Sequence, residues 1–337
     1  MYLDDLTQLF GVSGFEKSVR EYIQSFCKSY ADDIFVDQIG NLIVFKKGTD
    51  HPAKKRIMIS AHMDEIGFAV TDVTDQGFLK VRYMGGISNK VSLYQKIQFR
   101  KGVIGVVLSN GKEEDDKDFS SLYVDIGASS KEEAMSLIDI GEPASYIGPF
   151  TPLTGRLIAS KAMDDRIGCY ILMRVLSEME TPPMHDVFFV FSVQEEVGLR
   201  GAKVAVHTCK PDIGVAVDIT GSFDTPGAAN GFTKLGKGAA IKVMDGSVIC
   251  DDSLVTFLCT YAASHQIPHQ REVLARGGTD AGAIHLFEKG VPSCGISIPT
   301  RYAHSPVGIV DMADVGSCIY LLDGMIHSQS LDEKNPA

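Results

Sequence analysis

Apolar positions in the first thirty residues recur at helical spacing (Leu3, Leu6 and Phe10, then Val19, Ile23 and Phe26), which predicts two short helices. Gly11-Val-Ser-Gly14 separates them as a turn, with Ser13 placed to cap the second. A hairpin over 33–36 and 42–45 follows, turning at Gly40-Asn41. The apolar run 55–60 reads as a buried strand that delivers Ala61-His62-Met63-Asp64-Glu65 at its C-terminal end. From about 66 to 147 the texture changes. Short β-rich pieces (GFAVTDV, GFLKVRYM, SLYQKIQF, GVIGVVLS, SLYVDIGA) alternate with glycine and charge, the spacing of a small β-barrel or sandwich, with one helix expected over 130–138. Beyond 151 the pattern alternates: helix 166–178, strand 186–193, helix 201–207, strands 213–218 and 239–244, helix 252–265, strand 270–275, helix 280–288, strand 293–298 and helix 312–327. Alternation of this kind implies a mostly parallel sheet covered on both faces. The expected fold class is therefore α/β, a mixed, mostly parallel sheet flanked by helices with an inserted small β-barrel. The α/β domain would occupy 1–65 and 153–337, and the β-rich insert 66–152.

Composition narrows the function classes. At 45% apolar and 22% charged residues, the 337-residue chain has the balance of an ordinary globular protein. A formal net charge of −11 argues against nucleic acid as a partner, since phosphate neutralisation supplies most of such affinity. No stretch approaches the roughly 20 apolar residues of a membrane span, so no membrane partner is expected. The start of the chain carries acids rather than a basic n-region. Seven cysteines without a CxxC pair disfavour both a disulfide scaffold and a cysteine zinc finger, and a cytoplasmic location is expected.

The chemistry-bearing residues gather at the ends of expected strands. His62-x-Asp64 follows one strand, Glu195-Glu196 another, and Asp218 closes a third. Asp164-Asp165 precedes a helix, and His304 sits in a loop after a further strand. Each alone has an ordinary explanation: a surface His-x-Asp pair, a helix-capping Asp-Asp, a solvated Glu-Glu turn. Jointly they point elsewhere, because the crevice of an open α/β sheet lies outside the carboxyl ends of its strands. Two imidazoles and at least three carboxylates converging there suit zinc, cobalt or manganese, and two such ions can share a bridging carboxylate. Gly277-Gly278-Thr279-Asp280-Ala281-Gly282 lacks the Lys-Ser/Thr of a P-loop and reads as a tight loop with Thr279 or Asp280 capping the next helix.

The segments SAHMDEIG (60–67), KAMDDRIG (161–168), VQEEVGLRGA (193–202), AVDIT (216–220), GGTDAG (277–282) and YAHSP (302–306) together resemble the metallo-aminopeptidases of family M42. The resemblance runs in order along nearly the whole chain. It implies a phosphorylase/hydrolase-like, zinc-peptidase type fold and a dinuclear, metal-dependent aminopeptidase that removes N-terminal residues from peptides. It implies two divalent metal ions per subunit, Zn²⁺ or Co²⁺ with Mn²⁺ as a further option. Asp164 would bridge them, joined by a cis peptide to Asp165. His62 and Asp218 would complete one ion's shell, and Glu196 and His304 the other's. Glu195 would be the general base, and Asp64 would hydrogen-bond His62 and fix its tautomer. It also implies that the loop bearing Gly278, Thr279 and Asp280 faces the substrate and that the β-rich insert mediates dimerisation and assembly of a homo-oligomer, a dodecamer. Arg271, Arg276 and Arg301 are candidate contacts for an acidic substrate side chain or the peptide backbone. Two rivals remain: a metal-dependent deacylase or dipeptidase on small amides, and a non-catalytic, metal-stabilised assembly module. A glycosidase ranks below both, since the chain has no Trp and its acids come with histidines.

Overall fold

The computed structural model describes residues 2–111 and 121–332. Helices α1 (Tyr2–Gln8) and α2 (Lys17–Cys27) lead into β1 (Asp33–Val36), β2 (Leu42–Lys46) and β3 (Arg56–His62). A second set of elements follows: β4 (Gly67–Val73), β5 (Leu79–Met84), α3 (Asn89–Ser92), β6 (Lys96–Phe99), β7 (Ile104–Ser109), β8 (Leu122–Asp125), α4 (Lys131–Leu137) and β9 (Pro143–Tyr146). The remainder comprises β10 (Thr151–Pro152), β11 (Leu157–Ser160), α5 (Met163–Glu178), β12 (Asp186–Ser192), α6 (Arg200–Cys209), β13 (Ile213–Gly221) and β14 (Ala239–Met244). It closes with α7 (Asp252–Ser264), β15 (His269–Val273), α8 (Ala281–Ile284), β16 (Ser293–Arg301), β17 (Gly308–Asp311) and α9 (Met312–His327).

Among the described residues one sheet runs β1-β2-β12-β3-β13-β16-β17-β11-β10, with β14 beside β16 and β15 beside β14. Its centre, β12-β3-β13-β16, is parallel. The hairpin strands and the far edge are antiparallel. Strand alternation sorts the apolar residues onto two faces. Ile57, Ile59, Val187, Phe189 and Phe191 pack with α1, α2, α5, α7 and α9. Met58, Phe188 and Val190 turn the other way, onto Ala202, Ala205 and Val206 of α6 and Ile284 of α8. The sheet is thus buried on both faces, as parallel strands require.

Between β3 and β10 the chain forms a closed barrel in the order β4-β5-β8-β7-β6-β9. Phe68, Val81, Phe99, Val107, Val124 and Tyr146 fill it as a core separate from that of the sheet. Among the described residues closure leaves no open strand edge in the barrel. Among the described residues no helix is long and apolar enough to cross a membrane.

The structure departs locally from the sequence pattern. The helix expected over 280–288 is the single turn Ala281–Ile284; Phe287 and Gly290 then close four-residue turns that bring the chain into β16. Ser13 does not cap α2. Its hydroxyl donates instead to Asp64 Oδ2 at 2.6 Å, and α2 begins after Glu16 with no side-chain cap.

A buried ionic cluster ties the N-terminal helices to the loop after β3. Arg166 is fully buried and donates to the carbonyls of Met63, Leu6, Leu9 and Gly11. Glu65 accepts two bonds from Lys161 Nζ, at 2.7 and 2.8 Å, and lies 3.6 Å from Arg166. Removing one member of such a cluster leaves uncompensated charge in the interior. Glu65→Ala is therefore expected to lose about 3–5 kcal/mol of stability, measured by denaturant unfolding. A loss under about 1 kcal/mol would show that water reaches the two cations.

Candidate active site

The C-terminal ends of the parallel strands open onto a cavity of about 360 Å³. His62 is the last residue of β3, Asp218 lies in β13, and Glu195 and Glu196 follow β12. Asp164 comes from the start of α5 and His304 from the loop between β16 and β17. All six line the cavity. Asp164 stands between the two imidazoles, its Oδ1 3.1 Å from His62 Nε2 and its Oδ2 3.0 Å from His304 Nε2. Asp218 Oδ1 is 3.9 Å from His62 Nε2, and Glu196 Oε2 is 3.4 Å from His304 Nε2. Within this group, ligating atoms of His62, Asp164 and Glu196, and of His62, Asp165 and Asp218, come close enough together to hold an ion.

The adjacent aspartates divide the work. The Asp164–Asp165 peptide is cis, and neither residue has helical dihedrals. Asp165 is the structural one: Oδ1 accepts from the Gly168 amide at 3.1 Å and Oδ2 from the His62 amide at 3.2 Å. It caps the helix that continues from Arg166 and fixes the end of β3. A Cβ at position 168 would lie 2.3–2.6 Å from that carboxylate, so only glycine fits. Asp164 is left to face the imidazoles. The ordinary helix-capping explanation thus holds for one aspartate of the pair.

Asp64 holds the opposite wall. His62 Nδ1 meets its main-chain carbonyl at 2.9 Å and its Oδ1 at 3.4 Å, so His62 directs Nε2 into the cavity. The same carboxylate accepts from the amides of Glu195 at 2.9 Å and Glu196 at 3.2 Å. His304 is oriented comparably, its Nδ1 2.7 Å from the carbonyl of Gly86 in the loop after β5. A Cβ at Gly86 would come within 2.8 Å of that ring. Ala162, Gln194, Leu199, Tyr302 and His304 all hold φ between 53 and 58°. Left-handed backbone costs about 1–2 kcal/mol per non-glycine residue, and its concentration at a crevice marks a functional region.

Burial and charge set the protonation pattern. Burial opposes ionisation of Asp164, but His304 and His62 hold its carboxyl well below the usual range. Burial also opposes charging of the imidazoles. Asp164 and Asp64 nonetheless push His62 well up, and Glu196 with Asp164 raises His304 to about 10. Burial pushes Glu195 and Asp218 well up, and Glu196 to about 7. Carboxylates here outnumber the cationic groups, and Glu196 Oε1 is buried with no hydrogen-bond partner among the described residues. A site short of positive charge, with an unsatisfied carboxylate oxygen and mixed imidazole and carboxylate donors, fits divalent cations.

The remaining expected contacts divide. Gly278 and Thr279 line the cavity; Arg271 and Asp280 do not. Alternation along β15 sends Arg271 to solvent and buries its neighbour Glu272. Asp280 lies beneath the site, accepting from the hydroxyls of Ser60 and Ser192, and makes no side-chain cap to α8. Arg301 is held by Asp224, with contacts of 2.7 and 2.8 Å. Sequence reasoning missed Gly86 and Lys242, a cation in the apolar strand β14 that reaches the cavity wall. The signal for Lys242 was a lone charge within AAIKVM.

A family model described as M42 glutamyl aminopeptidase matches residues 40–321. A putative aminopeptidase of Acetivibrio thermocellus is 45% identical over 322 residues, covering 95% of this chain and 96% of that protein. The solved structure of aminopeptidase APDkam598 from the archaeon Desulfurococcus kamchatkensis superposes with a TM-score of 0.93 at 36% identity, covering 100% of this chain and 98% of that one. The Pyrococcus horikoshii TET1 peptidase, which can assemble into a tetrahedron or a large octahedral shell, superposes at 0.86 with 33% identity, covering 97% and 98%.

Proposed function

Because the chain belongs to the M42 family and is an aminopeptidase, we propose that it releases N-terminal residues from peptides using two divalent ions and Glu195 as general base. The observation that carries this reading is Asp164, whose two oxygens face His62 and His304 separately, as a carboxylate shared by two ions must. His62 and Asp218 would hold one ion, Glu196 and His304 the other. Such ions supply Lewis acidity toward the scissile carbonyl and lower the pKa of water.

The side chains supply the rest. Glu195 lies 3.8 Å from His62 Nε2, beyond hydrogen-bond distance; cations bound beside it would offset the burial that holds its carboxyl protonated, leaving a carboxylate to take a proton from water and return it to the departing amine. Asp64 fixes the Glu195 and Glu196 amides and so sets where both carboxylates point. The surplus of acids around the cavity favours the free ammonium of a peptide N-terminus. Assembly into a homo-oligomer is part of the proposal, with 66–152 as the insert that mediates it; the TET1 relative's assembly supports this.

The test is hydrolysis of a panel of aminoacyl substrates and their N-acetylated forms by metal-stripped enzyme, with and without Zn²⁺, Co²⁺ or Mn²⁺. Metal-dependent release blocked by acetylation is expected. Cleavage of only the acetylated set would replace the reading with a deacylase. Asp64→Asn, which sets an amide donor against backbone donors, is expected to lower metal affinity by about 10–100-fold in a metal titration.

A further inference from the structure

The cavity extends past the proposed ligands to a wall made by Thr220, Lys242, Leu274 and Gly277 to Thr279. Lys242 is buried, and the register explains how it reaches there. In β14 it pairs with Gly295 of β16 on one side and Glu272 of β15 on the other. Its stem lies flat across Gly295, where a Cβ would come within 3.0–3.1 Å of the lysine carbons. Its ammonium donates to Glu272 Oε1 at 2.6 Å and lies 3.4 Å from Asp245 Oδ2. All three side chains are at most 1% exposed. Burial works against the ammonium, but Glu272 and Asp245 more than offset it, and its pKa sits above the ordinary value.

Two carboxylates therefore face one cation. Glu272 Oε2 and Asp245 Oδ2 have no hydrogen-bond partner among the described residues, and neither do the hydroxyls of Thr220 and Thr279 on the same wall. The machinery proposed above, on which this inference rests, uses none of these groups. We infer that the Lys242–Glu272–Asp245 triad closes the pocket for the side chain of the substrate's first residue and selects neutral side chains over both acidic and basic ones. A substrate carboxylate entering here becomes the third anion around a single ammonium, away from water. A substrate ammonium meets Lys242 first, since Lys242 and not Glu272 forms the wall. Neutral side chains meet no opposing charge and find Leu199, Ile219, Leu274 and the two free hydroxyls.

The same charge count makes the selectivity convertible in opposite directions. Glu272→Gln leaves Lys242 with one counter-charge and opens the pocket to acidic side chains. Lys242→Met leaves two carboxylates without a cation and opens it to basic ones. The experiment is kcat/KM on aminomethylcoumarin substrates bearing Leu, Met, Ser, Glu or Lys, with the metal-loaded protein and both variants. Wild type is expected to favour Leu over Glu and Lys by at least about ten-fold. Glu272→Gln is expected to raise the Glu-to-Leu ratio, and Lys242→Met the Lys-to-Leu ratio, each by about ten-fold or more. Wild-type preference for Glu or Lys overturns the inference. So do folded variants with unchanged ratios, which would make the triad a structural pillar. Should Lys242→Met fail to fold, the isosteric Glu272→Gln decides alone. If wild type cleaves no member of the panel, the aminopeptidase reading itself falls; if it cleaves them without the expected order, only this inference does.

Discussion

Replacing Glu195 by glutamine is expected to lower kcat by about 10²–10⁴-fold, the contribution of a positioned general base, with the metal content unchanged. The expectation follows from how the two adjacent glutamates are held. Both amides are anchored on Asp64, so the Glu195→Gln variant keeps the backbone that aims the side chain. Glu196, 3.4 Å from His304 Nε2, is left to ligate, and the change at 195 removes a proton acceptor and no ligand. Stopped assays at saturating substrate, with elemental analysis of the same preparation, separate the two effects. Retention of turnover would remove Glu195 from the role of base. Loss of metal together with turnover would make it a ligand.

Asp164→Asn is expected to act the other way, losing bound metal first and turnover with it. Its two oxygens lie 3.1 and 3.0 Å from nitrogens of different imidazoles, and among the described residues it is the one carboxylate that pairs with both. An amide offers one weak oxygen where two anionic ones stood. Wild type should retain two ions per chain after desalting, Asp164→Asn one or none, and His304→Ala one. Ions that bind only the folded chain stabilise it by about 2.7 kcal/mol at a hundred-fold excess over Kd, so added metal should raise the Tm of wild type by more than that of Asp164→Asn. Two ions retained in Asp164→Asn would refute the shared ligand.

The alternation of helices and strands was legible because a doubly covered parallel sheet writes long apolar strands into the sequence, such as Val187 to Phe191. The ligand candidates were legible because charge at a strand end next to such a run stands out, as at His62, Glu195 and Asp218. What was hidden is short or internally compensated. The four-residue β9 begins with Pro143, and β10 has two residues; neither carries a periodicity. Asp280 belongs to a glycine-rich loop in the sequence, but Ser60 and Ser192 reach it from two other strands. Lys242 and Glu272 lie thirty residues apart, and only the β14–β15 register makes them partners. No local pattern can report a charge that is balanced from another strand.

The carbonyl of Gly86 has a consequence for protein engineering. The barrel looks like a cassette, a closed unit with its own core and two crossing points to the sheet. Yet the loop leaving β5 supplies the acceptor that orients His304, and its glycine leaves the room that the ring needs. A chimera that exchanges the barrel at its chain crossings would therefore cut a tether to the reaction centre. To preserve it, the graft must retain Gly85-Gly86 with the host α/β scaffold or import a donor loop whose backbone follows the same path. The insert is modular in its topology and integral in its chemistry.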